Sequence, residues 1–249
     1  MARIYRTPTG YVVEDGGAHR ALEGDLFGHW RAGAEVAAPE TILAPVLPSK
    51  IVCIGLNYKD HAAEQGKPLP AEPLLFLKPS SAIIAAGEAI ELPADVGRVD
   101  YESELAVVIG RRATRVTEAE ALSHVLGLTC MNDVTARDLQ KKDARYTRAK
   151  GFDTFAPLGP CIATGLSTDD LSVTGLVNGQ VRQQSSTREL IFPVATLIAY
   201  ISRIMTLLPG DIVSTGTPAG IGPLQAGDEV VVRVQGVGEL RNSVRRSPS

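Results

Sequence analysis

Glycines and prolines interrupt this chain along its whole length. The 24 glycines and 16 prolines are spread out rather than clustered, and they separate many short apolar runs, such as residues 51–54 and 105–109. Both residue types break regular structure and form turns, while short apolar runs between them are typical of strands. The sequence therefore predicts a chain made mostly of strands and turns, with a few helices.

A small N-terminal part is expected to precede the main body. Residues 1–46 contain several glycine turns between short β-like runs, and Pro45 and Pro48 flank the passage that follows. A length of 249 residues suits one sizeable domain with such an appendage. We predict a small β-rich domain over residues 1–46 and a main domain over residues 47–249, in a mainly β fold of the α+β class.

Composition excludes several classes of protein. A net charge of −3 without a long basic run argues against nucleic acid as a partner. No apolar stretch is long enough to span a bilayer, and the N-terminus lacks a signal-peptide core. Cys53, Cys130 and Cys161 lie in apolar runs without metal-ligand spacing, as buried thiols do in a reducing compartment. We expect a cytoplasmic protein with no membrane partner.

Three acidic residues are the main chemical signal. Glu102 and Glu104 precede the apolar run 105–109, and residues two apart on a strand point to the same face. Asp133 ends a second apolar run, residues 128–132. Like charges beside an apolar interior are costly unless a cation neutralises them. Two strands that deliver these acids at one end would converge on a divalent metal.

The ligand type narrows the metal. Carboxylate oxygens without histidine or cysteine at matching spacing favour Mg²⁺, Mn²⁺ or Ca²⁺ over Zn²⁺ or copper. The alternative is an acidic pair on the solvent face of an edge strand, paired with surface lysines.

His61 and Glu64 lie three residues apart on a predicted short helix, which we expect Asn57 to cap. A carboxylate beside an imidazole fixes the tautomer of the ring and raises its basicity, which suits a general base that activates water. The alternative is an ordinary surface helix in which Glu64 caps the helix and His61 is half-exposed.

Other polar residues are candidates for substrate contact. Thr135 is expected to cap a helix on which Arg137 and Gln140 share a face, where Arg137 would clamp a carboxylate. Lys150 precedes a loop of small and aromatic residues, so its amine could point into a cleft. The loop around Thr217 offers free backbone amides and a hydroxyl to an anion. The alternatives are a solvated helix, a surface lysine and a tight turn between strands.

Taken together, these motifs resemble the fumarylacetoacetate hydrolase family. They occur in the family's order over roughly residues 50–245, as residues 55–61 (GLNYKDH), 100–110 (DYESELAVVIG), 132–140 (NDVTARDLQ), 150–153 (KGFD), 208–211 (LPGD) and 216–220 (GTPAG).

This resemblance implies a fold, a metal and roles. The family's fold is a mixed β-sandwich roll that binds Mg²⁺ or Mn²⁺ and usually forms a homodimer. The roles implied are metal ligands for Glu102, Glu104 and Asp133, a catalytic dyad for His61 and Glu64 as in acylpyruvases and oxaloacetate decarboxylases, and substrate contacts for Arg137, Gln140, Lys150 and Thr217. Long-chain fumarylacetoacetases carry a further carboxylate ligand upstream of the histidine, which has no counterpart here.

The leading expectation is a Mg²⁺-dependent enzyme that cleaves a C–C bond, by hydrolysis or decarboxylation, in a small 2-oxo acid such as an acylpyruvate or oxaloacetate. It would act through a metal-stabilised enolate, with His61 and Glu64 activating water and Lys150 assisting proton transfer. The alternative is a 2-hydroxyhepta-2,4-diene-1,7-dioate-type isomerase of aromatic catabolism. A third hypothesis is a non-catalytic homologue that binds dicarboxylates.

Overall fold

Strands dominate the fold, as the sequence predicts. The computed structural model describes residues 1–143 and 145–247. Its strands, in chain order, are β1 (Arg3–Thr7), β2 (Gly10–Asp15), β3 (Ala18–Gly24), β4 (Trp30–Glu35), β5 (Ile51–Gly55), β6 (Leu74–Lys78), β7 (Ile83–Ile84), β8 (Ala89–Leu92), β9 (Val99–Tyr101), β10 (Ser103–Ile109), β11 (Val125–Asn132), β12 (Thr135–Ala136), β13 (Ala156–Ala163), β14 (Ser172–Val177), β15 (Gln180–Ser186), β16 (Ile212–Ser214), β17 (Gly222–Pro223), β18 (Glu229–Val234) and β19 (Gly238–Arg246).

The helices are few and mostly short. They are α1 (Lys59–Glu64), α2 (Glu118–Ala121), α3 (Arg137–Lys142), α4 (Thr147–Lys150) and α5 (Val194–Ile204), with single 3₁₀ turns at Ser80–Ala82, Leu122–His124 and Thr187–Glu189. Among the helices of residues 1–143 and 145–247, only α5 has the length and the buried apolar face of a helix that packs on a core.

Three sheets organise these strands. An 11-stranded sheet has the order β4-β3-β2-β1-β13-β11-β10-β16-β5-β6, with β7 paired to β13. A five-stranded sheet, β15-β14-β18-β19-β8, and a three-stranded sheet, β12-β9-β17, complete the mixed fold. The arrangement confirms the predicted mainly β fold with few helices.

The centre of the large sheet is buried on both faces. Leu105 and Val107 of β10 pack into a cluster with α5 and the five-stranded sheet, while Ala106 and Val108 pack into a second cluster with β1 and β13. Alternate residues of a strand point to opposite faces, so burial of both faces explains why this run is continuously apolar. The centre of the sheet is therefore a rigid base for the residues at its ends.

The N-terminal strands extend the large sheet. Strand β1 pairs antiparallel with β13, and β2, β3 and β4 follow as successive antiparallel neighbours. The predicted domain boundary between residues 46 and 47 stays a prediction.

Two predicted helix caps are wrong. The N-cap of α1 is Tyr58, because the side chain of Asn57 instead donates to the carbonyls of Phe192 and Thr215 at 3.1 and 2.8 Å. The N-cap of α3 is Ala136, because Thr135 belongs to β12 and its hydroxyl donates to the carbonyl of Asp133. In both cases another backbone group satisfies the polar side chain that the local pattern assigns to a cap, a distant one for Asn57 and one two residues away for Thr135.

None of the helices in the described ranges has both the length and the apolar character required to cross a membrane.

Candidate metal and substrate site

Glu102, Glu104 and Asp133 converge at one end of the β10–β11 pair. Ser103 of β10 lies opposite Asn132 of β11, so the residues just beyond each strand end meet. The amide of Asp133 donates to the carbonyl of Glu102 at 2.9 Å, and this bond holds the two chain segments together. One carboxylate oxygen from each acid lies within 4.8 Å of the others. This spacing suits a single metal ion.

All three acids are buried. Glu102 is 6% exposed, and Glu104 and Asp133 are each 1% exposed, which rules out the alternative of a solvated edge-strand pair. Glu102 lies in the break between β9 and β10, while Glu104 lies within β10. The two side chains still reach the same spot, as their spacing predicts.

Two buried lysines pair with these acids. The ammonium of Lys150 lies between Glu102 and Asp133, 2.9 Å from one carboxylate and 2.5 Å from the other. The ammonium of Lys78 donates to the second oxygen of Asp133 at 2.7 Å and to the carbonyl of Val134 at 3.0 Å. The side chain of Lys150 therefore points inward, as the first hypothesis predicts, and Lys150 is not a surface lysine.

Arg137 continues the charged network towards solvent. Its guanidinium donates to Glu102, to Asp100 at 2.8 Å and to the side-chain oxygen of Gln140 at 2.8 Å. Asp100 is fully buried and also accepts two hydrogen bonds from Arg98. Arg137 is consequently held in one orientation at the site, with Gln140 beside it.

Burial and neighbouring charges move the pKa values of Glu102 and Glu104 in opposite directions. Burial raises the pKa of Glu102, but the nearby Arg137 and Lys150 outweigh it, and the net pKa lies below its ordinary value. Burial, together with the neighbouring Asp133 and Glu102, raises the pKa of Glu104 well above its ordinary value. Two of the three acids thus have cationic partners, and Glu104 does not.

Glu104 is the residue that tests whether the site fits a cation. Its carboxylate accepts from the hydroxyl of Ser214 at 2.5 Å and from the amide of Gly216 at 3.0 Å. Within the described residues no lysine, arginine or histidine forms an ion pair with it. A buried carboxylate without a counterion is what a hard cation would neutralise, so this set of oxygen donors fits Mg²⁺, Mn²⁺ or Ca²⁺.

His61 and Glu64 form a pair on α1. His61 is buried, its Nδ1 lies 2.8 Å from a carboxylate oxygen of Glu64, and its Nε2 lies 2.7 Å from the side-chain nitrogen of Gln65. The second oxygen of Glu64 accepts from the amide of Gly220 at 3.0 Å. The structure therefore places the predicted dyad in contact and ties it to the loop after β16.

Thr217 lies in that loop, and its hydroxyl already has protein partners. It donates to the carbonyl of Ser103 at 3.0 Å and accepts from the side-chain amide of Gln183 at 2.8 Å. Gln183 also donates to the carbonyl of Pro218, so the loop is fixed against β10 and β15.

A single cavity of about 280 Å³ joins these groups. Seven of the nine predicted site residues line this cavity, and the other two contact a residue that lines it. The predicted residues that line it are His61, Glu102, Glu104, Arg137, Gln140, Lys150 and Thr217, while Glu64 contacts His61 from behind. Asp133 lies underneath, bridged to Glu102 by Lys150. All nine therefore belong to one site.

The sequence does not identify several residues that belong to the site. Lys78 ends the apolar run 74–77, and a lysine there is ordinarily expected at a solvated strand end. Asp100 belongs to the acidic motif, but the sequence does not indicate that it orients Arg137. Gln65 and Lys67 line the cavity beyond α1, and only the fold brings them there.

Known proteins resemble this chain over most of its length. The family model described as fumarylacetoacetate (FAA) hydrolase C-terminal matches residues 50–245. A protein of Archaeoglobus fulgidus is 54% identical over 201 residues, covering 81% of this chain and 80% of that protein. The mitochondrial oxaloacetate tautomerase FAHD2A of Bos taurus is 43% identical over 217 residues, covering 82% of this chain and 69% of that protein.

A solved structure is similar over both whole chains. The 2-hydroxyhepta-2,4-diene-1,7-dioate isomerase of Mycobacterium marinum has a TM-score of 0.91 and 40% sequence identity, with 100% of each chain covered.

Proposed function

The chain belongs to the fumarylacetoacetate hydrolase family, and from this premise we propose that it is a Mg²⁺-dependent enzyme that cleaves a C–C bond in a small 2-oxo acid. The observation that carries the proposal is the His61–Glu64 pair in contact beside a cavity lined by Glu102 and Glu104. A hard-cation site next to a positioned base is the combination that hydrolysis of an acylpyruvate needs.

The cation would be held by Glu102, Glu104 and Asp133. When bound, it would supply Lewis-acid polarisation of a keto oxygen and so favour enolate formation next to it. Its charge would also remove the reason for the raised pKa of Glu104, because that shift comes from burial and from neighbouring negative charges.

Arg137, Gln140 and Lys150 would orient the substrate. Arg137 is held by Asp100 and presents a guanidinium suited to a carboxylate. Lys150 stays charged, because Asp133 and Glu102 outweigh its burial and raise its pKa. A charged ammonium at the cavity wall is a source of a proton for an enolate carbon, and Gln140 adds an amide beside it.

His61 and Glu64 would activate water. Glu64 accepts from Nδ1 of His61, so Nε2 is the nitrogen that would take a proton from water. The hydroxide formed would attack a second carbonyl of the substrate, the C–C bond between that carbonyl and the enolate carbon would break, and the enolate would leave. Decarboxylation of a 3-carboxyl would need no water and therefore no base.

A second candidate is a keto–enol or double-bond isomerase. The observation that favours it is the similarity to the bovine relative, an oxaloacetate tautomerase, and to the Mycobacterium marinum structure, an isomerase. In that case the dyad or Lys150 would only move a proton between carbon and oxygen, and no fragment would be released.

A product assay separates the candidates. The protein would be incubated with acetylpyruvate, oxaloacetate and a hydroxymuconate-type dienol, each with Mg²⁺, with Mn²⁺ and with a chelator. Release of pyruvate that requires the metal supports cleavage, while a change in the enol absorbance without fragments supports isomerisation and overturns cleavage. Stabilisation by these acids without any product would instead indicate a binding protein.

We propose further that Mg²⁺ rather than Mn²⁺ or Ca²⁺ is the ion used, and that the protein is a homodimer.

We also propose that the protein works in the cytoplasm. The three buried, unpaired cysteines support this proposal, because free thiols are typical of a reducing compartment. We also propose that residues 1–46 form a domain of their own ahead of the catalytic domain 47–249.

A further inference from the structure

The nitrogen of His61 that would take a proton already has a partner. The side-chain nitrogen of Gln65 lies 2.7 Å from Nε2 of His61, while Nδ1 faces the carboxylate of Glu64 at 2.8 Å. Both ring nitrogens are thus engaged by residues of the same short segment.

The chemistry of the two partners fixes the direction of each hydrogen bond. A carboxylate only accepts hydrogen bonds, so Nδ1 of His61 carries a proton and donates the hydrogen bond to Glu64. In a neutral imidazole the other nitrogen is then an acceptor, and Gln65 must donate its amide NH₂ to it. The lone pair with which His61 would act as a base is therefore occupied by Gln65.

Gln65 is placed so that it can leave this position. It follows the last residue of α1, four residues after His61, and is exposed, whereas His61 is 5% exposed. Both residues line the cavity, so a molecule entering the cavity reaches the amide and the ring together. The exposed side chain can rotate away without disturbing the buried ring.

We propose that Gln65 is a positioning residue that caps the base: it holds His61 in the tautomer with the proton on Nδ1 and must leave Nε2 before His61 can accept a proton. The second half of this inference rests on the proposed role of His61, and the first half does not. Water bound at the cavity would take the place of the amide once the substrate is in position.

The size of the effect follows from an ordinary hydrogen bond. A net contribution typical of one neutral hydrogen bond corresponds to about fivefold in an equilibrium constant. Removing the cap without changing side-chain length should therefore raise kcat/KM for hydrolysis about fivefold. Gln65→Met is the suitable variant, because it keeps the bulk and removes the donor.

The first experiment reads the tautomer in substrate-free protein. The ¹⁵N shifts of the His61 ring are compared among wild type, Gln65→Met and Gln65→Glu, with Lys59→Met on the same helix as the matched control. We expect Nε2 to lose its donor in Gln65→Met and to become protonated in Gln65→Glu, which offers only an acceptor. The control and the signals of His19, His29 and His124 should not move. Identical His61 shifts in all proteins would overturn the inference.

The second experiment measures turnover of acetylpyruvate by the same proteins. A rise in kcat/KM for Gln65→Met supports the cap, and a fall would show that Gln65 assists the base instead. If wild type and variants have no activity on any 2-oxo acid while the ring shifts change as expected, the proposed function fails and the contact of Gln65 with His61 stands. If turnover is found but the ring shifts do not change, the proposed function stands and the cap fails.

Discussion

The backbone amide of Asp133 donates to the backbone carbonyl of Glu102 at 2.9 Å. This one bond continues the ladder of β10 and β11 by a step beyond their last paired residues, Ser103 and Asn132. Because it joins main-chain atoms, it leaves both carboxylates free to face the same point. The geometry of the candidate metal site is therefore set by the backbone of the sheet and not by flexible loops.

Replacement of Glu104 should separate metal binding from folding. The raised pKa of Glu104, caused by burial and by the neighbouring Asp133 and Glu102, favours the protonated carboxyl in the metal-free protein, and glutamine resembles that form. Glu104→Gln should have the unfolding temperature of wild type in chelator, yet lose the stabilisation by Mg²⁺, which is about 2.7 kcal/mol at about 100 times Kd. Thermal unfolding with Mg²⁺ and with chelator measures both. Full stabilisation of the variant by Mg²⁺ would exclude Glu104 as a ligand.

Replacement of Glu102, unlike that of Glu104, should lower the stability of the fold even without metal. Its carboxylate pairs with the half-buried Arg137 and the buried Lys150, so Glu102→Gln leaves positive charge uncompensated even without metal. Breaking a buried pair costs about 3 kcal/mol, and the variant should unfold at lower denaturant concentration in chelator. Denaturant melts of Glu102→Gln and Glu104→Gln, measured side by side, test the contrast. Equal stability of the two would contradict the charge assignment.

Metal binding should release a proton. The pKa of Glu104 in the folded chain lies well above the ordinary value of 4.5, so between these two values the folded protein holds a proton that the unfolded chain has lost. Stability of the metal-free protein should therefore fall as pH rises through this window, and Mg²⁺ affinity should rise. Calorimetric titrations in two buffers with different ionisation enthalpies count the proton. Heats that are independent of the buffer would refute this prediction.

Loss of the base should affect only the reaction that needs water. His61→Ala removes the side chain that Glu64 orients, and hydrolysis of acetylpyruvate should fall by about 10² to 10⁴. Decarboxylation of oxaloacetate should keep a measurable share of its rate, because carbon dioxide leaves without an attacking water. Both rates are followed as pyruvate formed over time. An equal loss of the two activities would mean that His61 positions the substrate.

Lys67 should favour substrates with a second carboxylate. Its side chain lines the cavity, and no carboxylate within residues 1–143 and 145–247 forms an ion pair with it. Lys67→Gln should raise KM for oxaloacetate about threefold to fivefold, as an exposed charge pair contributes up to about 1 kcal/mol. KM for acetylpyruvate, which has one carboxylate, should change little. Initial rates at varied substrate concentration measure both, and parallel changes would contradict the role.

The sequence predicts the acids of this site better than their surroundings. Glu102, Glu104 and Asp133 stand beside apolar runs, and strand periodicity is enough to bring them together. Lys78 also ends an apolar run, but nothing local distinguishes a buried lysine from a solvated one, since its burial depends on Asp133, which is distant in the chain. Whether such a residue is buried depends on partners that are distant in the chain, and local sequence patterns carry no information about those partners.

The two predicted helix caps are wrong because other backbone groups accept hydrogen bonds from the capping side chains. Asn57 and Thr135 are good capping residues by type, yet each bonds to backbone that the fold brings close or that turns back locally. Their polar atoms are satisfied either way, so local preference does not choose between the two outcomes. The helices themselves begin only one or two residues later than their predicted caps allow.

The ammonium of Lys150 lies between Glu102 and Asp133 and balances part of their negative charge, as a bound cation would. Glu102 and Asp133 are thus held by a side chain of the same protein, so folding would not require an inorganic ion. Filling and emptying of the site then become reversible events on a finished scaffold. The share of active molecules would follow the supply of the ion in the surroundings rather than the history of each molecule's synthesis.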